Sequence, residues 1–197
     1  MIKKICISFL IFLSFAISLL LFFSNTATEE SKYGATEVLL FSIPLAMCLV
    51  NSNLIIIPKL LSFQNSYARY KKGIESVLLS VTLILFLLHI GLILLGIGIE
   101  VSLLYLVPVS VGIVLITTAN TLPRFQLDLN PKEQPKNSNQ LWNIVIRPFS
   151  FPLFIGGLIM FLCLFLPGNL MMIGFFSILL CTLLASFYMS YRAYQSH

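Results

Sequence analysis

The sequence predicts an all-α integral membrane protein, built as a bundle of six transmembrane helices with its N-terminus and C-terminus in the cytoplasm. Three observations predict this fold: the composition, the lengths of the apolar runs and the placement of the basic residues. Of the 197 residues, 58% are hydrophobic and 10% are charged, whereas about 25% of the residues in soluble domains are charged. The mean hydropathy is +0.99. These values exclude a soluble globular protein and predict a single membrane domain over residues 1–197.

Six apolar runs, each close to the roughly 20 residues that cross a bilayer core, predict the six helices. They cover residues 5–23, 38–61, 77–99, 101–119, 149–166 and 170–188. The first run follows Lys3 and Lys4, as in a secretory signal peptide. It is longer than the roughly 7–15 apolar residues of such a peptide, and residues 24–27 are a poor cleavage site. We therefore expect a retained first helix.

The basic residues predict the orientation of the helices. With the N-terminus in the cytoplasm, every lysine and arginine except Lys32 falls on the cytoplasmic side: Lys3, Lys4, Lys59, Arg69, Lys71, Lys72, Arg124, Lys132, Lys136, Arg147 and Arg192. This agrees with the rule that cytoplasmic loops carry the excess of Lys and Arg. The net charge of +5 is then a topology signal and an attraction for anionic lipids of the bilayer. We expect no direct nucleic-acid partner.

The longest polar connection, residues 121–148, is predicted to be a cytoplasmic loop. The fourth helix leaves the membrane at Asn120, Pro123 and Arg124. These residues supply an amide for the last helical carbonyls, a helix stop and a charge for the headgroups. The chain returns to the membrane through Trp142 and Arg147. We expect this loop to anchor the protein at the interface or to contact a cytoplasmic partner.

His89 is the one ionisable side chain predicted to lie well inside a span, near the middle of the third helix. A titratable group at that depth is a functional candidate. Three interpretations are open: a neutral imidazole hydrogen-bonded to a Ser, Thr or Asn of a neighbouring helix, a role in binding, or a role in proton movement. A proton path usually needs an acidic partner, and Glu37, Glu75 and Glu100 are predicted to fall at helix ends.

Asn51 and Asn53 interrupt the second apolar run. Two residues apart on a helix, they point to nearly opposite faces and do not act as one pair. At least one of them should face the bundle interior, because an amide that faces lipid has no hydrogen-bond partner. Interhelical hydrogen bonding is one interpretation, and participation in a binding site is the other.

The chemistry-bearing residues are too few and too scattered to predict an enzyme. Cys6, Cys48, Cys163 and Cys181 lie inside apolar runs without metal-ligand spacing, so they are predicted to behave as small hydrophobic residues. The sequence lacks a nucleophile elbow, a zinc-binding helix, a Walker A loop and a carboxylate pair within the spans. We expect no catalysis, no metal and no cofactor.

Several segments together carry a family resemblance. They are MIKK at residues 1–4, LSFAISLLL at 13–21, IEV at 99–101, VGIVLITTAN at 111–120, Leu141-Trp142 with Arg147, and LLASFY at 183–188. In this order, and with the same helix count and position of the long inner loop, the chain resembles the SdpI family of multi-pass membrane immunity proteins. The resemblance runs over most of the chain.

The resemblance implies an immunity protein of the bacterial plasma membrane that makes a cell resistant to a secreted peptide toxin of the sporulation-delaying type. Its partners would be the toxin and the lipid bilayer. In part of the family the protein also recruits a cytoplasmic transcriptional repressor to the membrane. We expect the toxin to be bound within the bilayer, by the bundle and its short outer connections.

One part of the inner loop departs from the family pattern. The family typically has a Gly-Ile/Leu-Arg-Thr-Pro-Trp-Thr type of segment there, whereas this chain reads LDLNPKEQP at residues 127–135. Any family role of that segment is not carried over, and recruitment of a repressor stays only as a secondary role that the resemblance implies.

Two other classes of protein fit the same pattern of helices. One is the substrate-binding membrane subunit of a small-molecule importer, which needs an outward-facing pocket with polar groups. The other is an assembly or scaffold subunit. Ligand binding by the purified protein would favour the importer, toxin resistance would favour immunity, and co-purifying partners would favour the scaffold.

Overall fold

The computed structural model describes residues 2–24, 36–61, 67–99, 101–124 and 138–196. Within these ranges the chain forms six α-helices: α1 (Ile2–Phe23), α2 (Thr36–Leu61), α3 (Tyr67–Gly96), α4 (Leu106–Thr121), α5 (Ser138–Leu162) and α6 (Gly168–Gln195). Short 3-10 turns lie at Leu103–Tyr105, Leu122–Arg124 and Cys163–Phe165. Among the described residues there is no β-strand, so the predicted all-α class is confirmed.

Five helical segments of the described chain are long and apolar enough to cross a membrane. They are Ile2–Phe23, Lys71–Gly96, Leu103–Thr121, Ile144–Phe165 and Leu170–Gln195. In α2 the corresponding apolar stretch, Leu40–Leu54, is shorter. The chain is therefore a helical membrane protein, while the sixth span and the cytoplasmic placement of both termini remain predictions.

The distribution of polarity is the reverse of that in a soluble protein. Ser18 and His89 are fully buried, whereas Phe12 and Leu20 are 72% and 71% exposed. Large exposed apolar surfaces suit contact with lipid tails, and polar groups need partners inside the bundle because lipid offers none. This pattern supports the membrane assignment independently of the sequence composition.

Two helices begin well before the apolar runs that predict them. α3 starts at Tyr67 and α5 at Ser138, whereas the predicted helices start at residues 77 and 149. The prediction of a loop over residues 121–148 is therefore wrong for residues 138–148, which are helical. α6 likewise continues to Gln195, past the predicted end at residue 188. An apolar run marks the part of a helix that lies in lipid, and the backbone hydrogen bonds continue into polar sequence beyond it.

α5 contains two prolines, Pro148 and Pro152. Each removes one helical N–H donor and so leaves a carbonyl of the preceding turn without its usual partner. These are the carbonyls of Ile144 and Pro148. Hydroxyls bond the two carbonyls that follow Ile144: Ser190 of α6 donates to Val145 at 3.0 Å, and Ser150 donates to Ile146 at 2.8 Å. The Ser190 bond ties α6 to α5 beside the first proline.

α3 ends at a glycine in the left-handed region. Gly98 has φ +87°, and its N–H donates to the Leu95 carbonyl while Ile99 donates to the Leu94 carbonyl. This pair of bonds is a Schellman motif, which satisfies the last carbonyls of a helix. A side chain at residue 98 would strain the backbone, so the local sequence itself ends the helix.

The chain divides into two compact units, Met1–Leu106 and Val107–His197. Unit 1 contains α1, α2 and α3, and its buried apolar residues include Ile7, Leu40 and Met47. Contacts between the starts of α1 and α3, at Lys3 and Ser76, and between their later parts, at Ser18 and His89, show that these two helices run parallel. The expectation of one membrane domain stays a prediction.

Unit 2 contains α4, α5 and α6 around a core of Leu115, Ala119, Leu153, Met160, Cys163, Met171 and Phe175. Two glycines of α5 allow close packing in this unit. A Cβ atom on Gly157 would lie 2.9 Å from the Gly112 carbonyl oxygen of α4, and one on Gly156 would lie 2.8 Å from Thr182 Cβ of α6. The helices of unit 2 can approach this closely only because both positions lack a side chain.

Candidate functional site

The His89 side chain lies in the interior of unit 1 and contacts α1. Its Nε2 atom is 3.1 Å from Ser18 Oγ, and both side chains are 0% exposed. The same hydroxyl lies 2.7 Å from the Leu40 carbonyl of α2 and 3.0 Å from the Ser14 carbonyl of its own helix. Ser18 therefore joins all three helices of unit 1 at one level.

The two carbonyls beside Ser18 favour one direction for its hydrogen bond with His89. A serine hydroxyl has one hydrogen, and the two carbonyl oxygens can only accept. With the hydrogen of Ser18 directed to a carbonyl, the hydroxyl oxygen is left to accept from Nε2 of His89. Burial favours the neutral imidazole over the charged ring, and in a neutral ring that is protonated at Nε2 the Nδ1 atom is an acceptor. Among the described residues, His89 Nδ1 has no hydrogen-bond partner.

Asn51 makes a second polar contact inside unit 1. Its Nδ2 atom donates to Thr82 Oγ1 of α3 and to the Met47 carbonyl, both at 2.8 Å. Thr82 in turn donates to the Leu78 carbonyl at 2.7 Å. Asn51 is 7% exposed and Thr82 is 0% exposed, so this interhelical bond lies away from lipid. The interior position that the sequence predicts for at least one asparagine is occupied by Asn51.

Asn53 occupies a different environment from Asn51. Its side chain is half-buried, and its amide donates to the Val50 carbonyl of its own helix at 2.9 Å. The two asparagines thus do not act as a pair, which is the expected result for side chains two residues apart. The structure gives Asn53 no interhelical partner among the described residues.

Three polar residues of unit 1 were not singled out from the sequence: Ser14, Ser18 and Thr82. Each is 0% exposed. A signal for them is present, since Ser14 and Ser18 are four apart on α1, and Thr82 and His89 are seven apart on α3. These spacings place each pair on one helical face. Serine and threonine are common in membrane helices, however, and the spacing alone does not say which face is buried.

A charged contact joins the start of α1 to α3. Lys4 Nζ lies 3.9 Å from a carboxylate oxygen of Glu75, and Lys3 donates to the Lys72 carbonyl at 3.3 Å and to Ser76 Oγ. Glu75 is 8% exposed. Its predicted place at a helix end is wrong, because α3 begins eight residues earlier. Lys4 is 44% exposed at its side chain, so we regard this pair as a contact that holds the start of α1 against the third turn of α3, and not as a catalytic pair.

The residues singled out at the inner loop lie in unit 2. Asn120 is exposed on the last turn of α4, and Pro123 lies in the 3-10 turn that follows. Arg147 is exposed on α5, one residue before Pro148. Arg124 and Trp142 lie on described backbone, but their side chains fall outside the described part of the structure. Lys132 and Lys136, with the departing segment at 127–135, lie outside the described residues altogether.

No group of three His, Cys, Asp or Glu side chains comes together in the described part of the chain. All four cysteines are free, and Cys163 is the buried one. In unit 2 a groove of about 290 Å³ runs along α5 and α6. Its lining is almost entirely apolar and consists of Phe151, Pro152, Ile155, Gly156, Ile159, Cys181, Thr182, Ala185 and Met189.

The fold and its buried contacts define the class of protein: a helical membrane protein with polar side chains in the interior of its first unit. Comparison of the chain with protein-family models, curated proteins and solved structures finds no match. The resemblance to the SdpI family thus remains an expectation from the sequence.

Proposed function

We propose that this chain is an immunity protein of the bacterial plasma membrane, which binds a membrane-active peptide toxin within the bilayer. Two things support the proposal: the resemblance of its sequence to the SdpI family, and the buried histidine of unit 1. The single observation that carries it is His89, which is fully buried in the apolar span Lys71–Gly96, seven residues before its end and not at the predicted middle. Among the described residues, only one of its ring nitrogens has a hydrogen-bond partner.

Packing alone does not require a histidine at this position. The bond to Ser18 needs a single donor, and an amide or hydroxyl supplies that at lower cost than an ionisable ring in the membrane. Asn51 likewise has a hydrogen-bonding atom that the fold does not use, because its Oδ1 atom has no partner among the described residues. These two atoms, His89 Nδ1 and Asn51 Oδ1, are therefore available to hydrogen-bond a ligand.

The surface of unit 2 suits a ligand that arrives through lipid. The groove along α5 and α6 is apolar, which favours a hydrocarbon chain or an apolar peptide over a polar vitamin. This weighs for immunity and against the importer subunit. We keep recruitment of a cytoplasmic repressor as a secondary proposal, and we assign it to the inner loop rather than to unit 1.

The test is survival of a toxin-sensitive bacterium that expresses the chain and is exposed to a purified toxin of the sporulation-delaying type. We expect the natural sequence to protect. His89→Leu and Asn51→Leu should reduce protection at equal abundance in the membrane, because they remove polar groups from unit 1. His89→Gln, which keeps a donor for Ser18, separates the loss of that bond from the loss of the ring.

The matched control lies in the inner loop. Replacing residues 132–136 by a Gly/Ser linker of equal length should retain protection, because a flexible linker still spans the distance between helix ends. Loss of protection in the linker variant, with full protection by the two unit 1 variants, would assign the activity to the loop. Failure of the natural sequence to protect, together with retention of a water-soluble small molecule by the purified protein, would favour the importer.

A further inference from the structure

Each helix of unit 1 contributes one buried polar atom without a protein hydrogen-bond partner in the described part of the chain. The atoms are Ser14 Oγ of α1, Asn51 Oδ1 of α2 and His89 Nδ1 of α3. Their residues are 0%, 7% and 0% exposed. Buried polar atoms in proteins almost always have a partner, and each exception calls for one.

Hydrogen accounting shows what kind of partner is needed. Asn51 Nδ2 uses both of its hydrogens, on Thr82 Oγ1 and the Met47 carbonyl, so its Oδ1 atom can only accept. His89 donates through Nε2 to Ser18, so its Nδ1 atom can only accept as well. Two of the three atoms therefore need a hydrogen-bond donor. The third, Ser14 Oγ, has a single hydrogen and cannot serve both.

The three residues lie along one short stretch of the unit. α1 and α3 run parallel and pair Ser18 with His89, so Ser14, four residues earlier on α1, is level with Leu85 of α3. That level lies between Thr82, which holds Asn51, and His89. At about 1.5 Å of rise per residue, it is roughly 4.5 Å along the axis from Thr82 and roughly 6 Å from His89.

This spacing matches bridging by water. One water molecule that bonds two polar atoms at about 2.8 Å each, at a tetrahedral angle, holds them about 4.5 Å apart, and two water molecules in series span a longer distance. We propose that the interior of unit 1 binds water on either side of Ser14 Oγ, which links His89 Nδ1 and Asn51 Oδ1 into one polar chain. The site takes small hydrogen-bond donors. Anions are disfavoured, because two of its three free atoms are acceptors.

The proposal does not depend on the immunity function. It concerns the resting protein and holds whether or not a toxin binds. If both proposals hold, the donor groups of a peptide ligand replace this water, and the acceptor character of the site selects for N–H groups. Free N–H groups are found at the first turn of a helical peptide.

The test is solid-state NMR of the full-length protein in bilayers of deuterated lipid, with ¹⁵N-labelled histidine. The chain has two histidines, His89 and His197, and the spectrum of His89→Gln assigns the His89 signals. We expect a protonated Nε2, an unprotonated Nδ1 whose ¹⁵N frequency shows an accepted hydrogen bond, and magnetisation transfer from water protons to this ring.

Two serine variants locate the water. Ser14→Ala should move the Nδ1 signal toward the frequency of a nitrogen without a hydrogen bond, lower the transfer from water and leave Nε2 unchanged. Ser18→Ala should shift Nε2 instead. The spectrum of the natural sequence decides the matter even if these variants fold poorly. A proton on Nδ1, or an unbonded Nδ1 with no transfer from water, overturns the proposal.

Discussion

At the scale of single residues, the two asparagines of α2 offer a matched comparison. Asn51 bonds Thr82 across the helix interface, whereas Asn53 bonds the carbonyl of Val50 in its own helix. Asn51→Ala should lower the free energy of unfolding by about 0.6–2 kcal/mol, the range for one interhelical hydrogen bond in a membrane protein. Asn53→Ala should change it by less. Reversible unfolding in mixed micelles measures both.

A double-mutant cycle with Thr82→Val separates the bond from other effects of the substitution. The cost of the two changes together should be smaller than the sum of the single costs, because both remove the same contact. Equal losses for Asn51→Ala and Asn53→Ala, with additive effects of Thr82→Val, would contradict the assigned partner.

His89 shows which part of the site can be predicted from the sequence and which part cannot. Its burial follows from its place in an apolar run, whereas the sequence leaves open whether it packs, binds or moves a proton. Its partner does not follow from the sequence, because which of many serines and threonines it meets depends on the packing of α1 against α3. That packing is set by apolar side chains, whose pattern is compatible with several alignments. Ser18 can therefore be identified as the partner of His89 only from the folded structure.

At the scale of helices, Gly156 of α5 controls the approach of α6. A Cβ atom there would overlap Thr182 Oγ1 and would lie 2.8 Å from Thr182 Cβ. Gly156→Ala should therefore lower the free energy of unfolding by about 1–3 kcal/mol, as over-packing does in a close-packed core. Thermal unfolding of the purified protein in detergent gives the order of effects.

Gly174 of α6 is the control for this substitution. The atom nearest to a Cβ there is Leu166 Cδ1, at 2.8 Å, and the next is at 3.8 Å. The end of a leucine side chain moves away easily, so Gly174→Ala should cost less than Gly156→Ala. Adding Thr182→Gly to Gly156→Ala removes the colliding atoms and should recover part of the loss. Greater damage from Gly174→Ala would show that α5 and α6 do not meet as described.

The ends of the helices show a limit of sequence reasoning. α3 ends at Gly96 and not at the predicted residue 99; the signal for this end is Gly98, which supports the left-handed conformation that closes the helix and which the apolar run does not take into account. The starts of α3 and α5 are not visible in the sequence, because polar residues such as Lys71, Lys72 and Asn139 are compatible with both helix and loop. Their helical state depends on the turn that follows, which is already held in the bundle.

At the scale of the whole molecule, the placement of basic residues predicts the topology. Single cysteines at Glu30 and at Ser138, in a chain lacking Cys6, Cys48, Cys163 and Cys181, should react from opposite sides of the cell membrane. An impermeant thiol reagent added outside should label residue 30 and spare residue 138, because all of the 12 basic residues except Lys32 share the predicted inner side.

Labelling of both positions from outside would contradict the six-span arrangement. Cys163 is fully buried, so it is best replaced by alanine, which leaves no unpaired hydroxyl in the core. The intact mass of the same protein also tests the first helix, since cleavage after residue 27 would remove all of α1. A chain of full mass supports the retained helix.

The double use of the Ser18 hydroxyl has a consequence for biosynthesis. α1 is made and enters the membrane long before α3 leaves the ribosome, so Ser18 must spend that interval without His89. Its hydroxyl lies 3.0 Å from the Ser14 carbonyl of the same helix, which gives it a partner while α1 is still alone in lipid. In the folded unit the same hydroxyl also lies 2.7 Å from the Leu40 carbonyl of α2 and 3.1 Å from His89 Nε2 of α3. A partner for Ser18 is thus present in α1 alone, and each helix that later packs against α1 brings another.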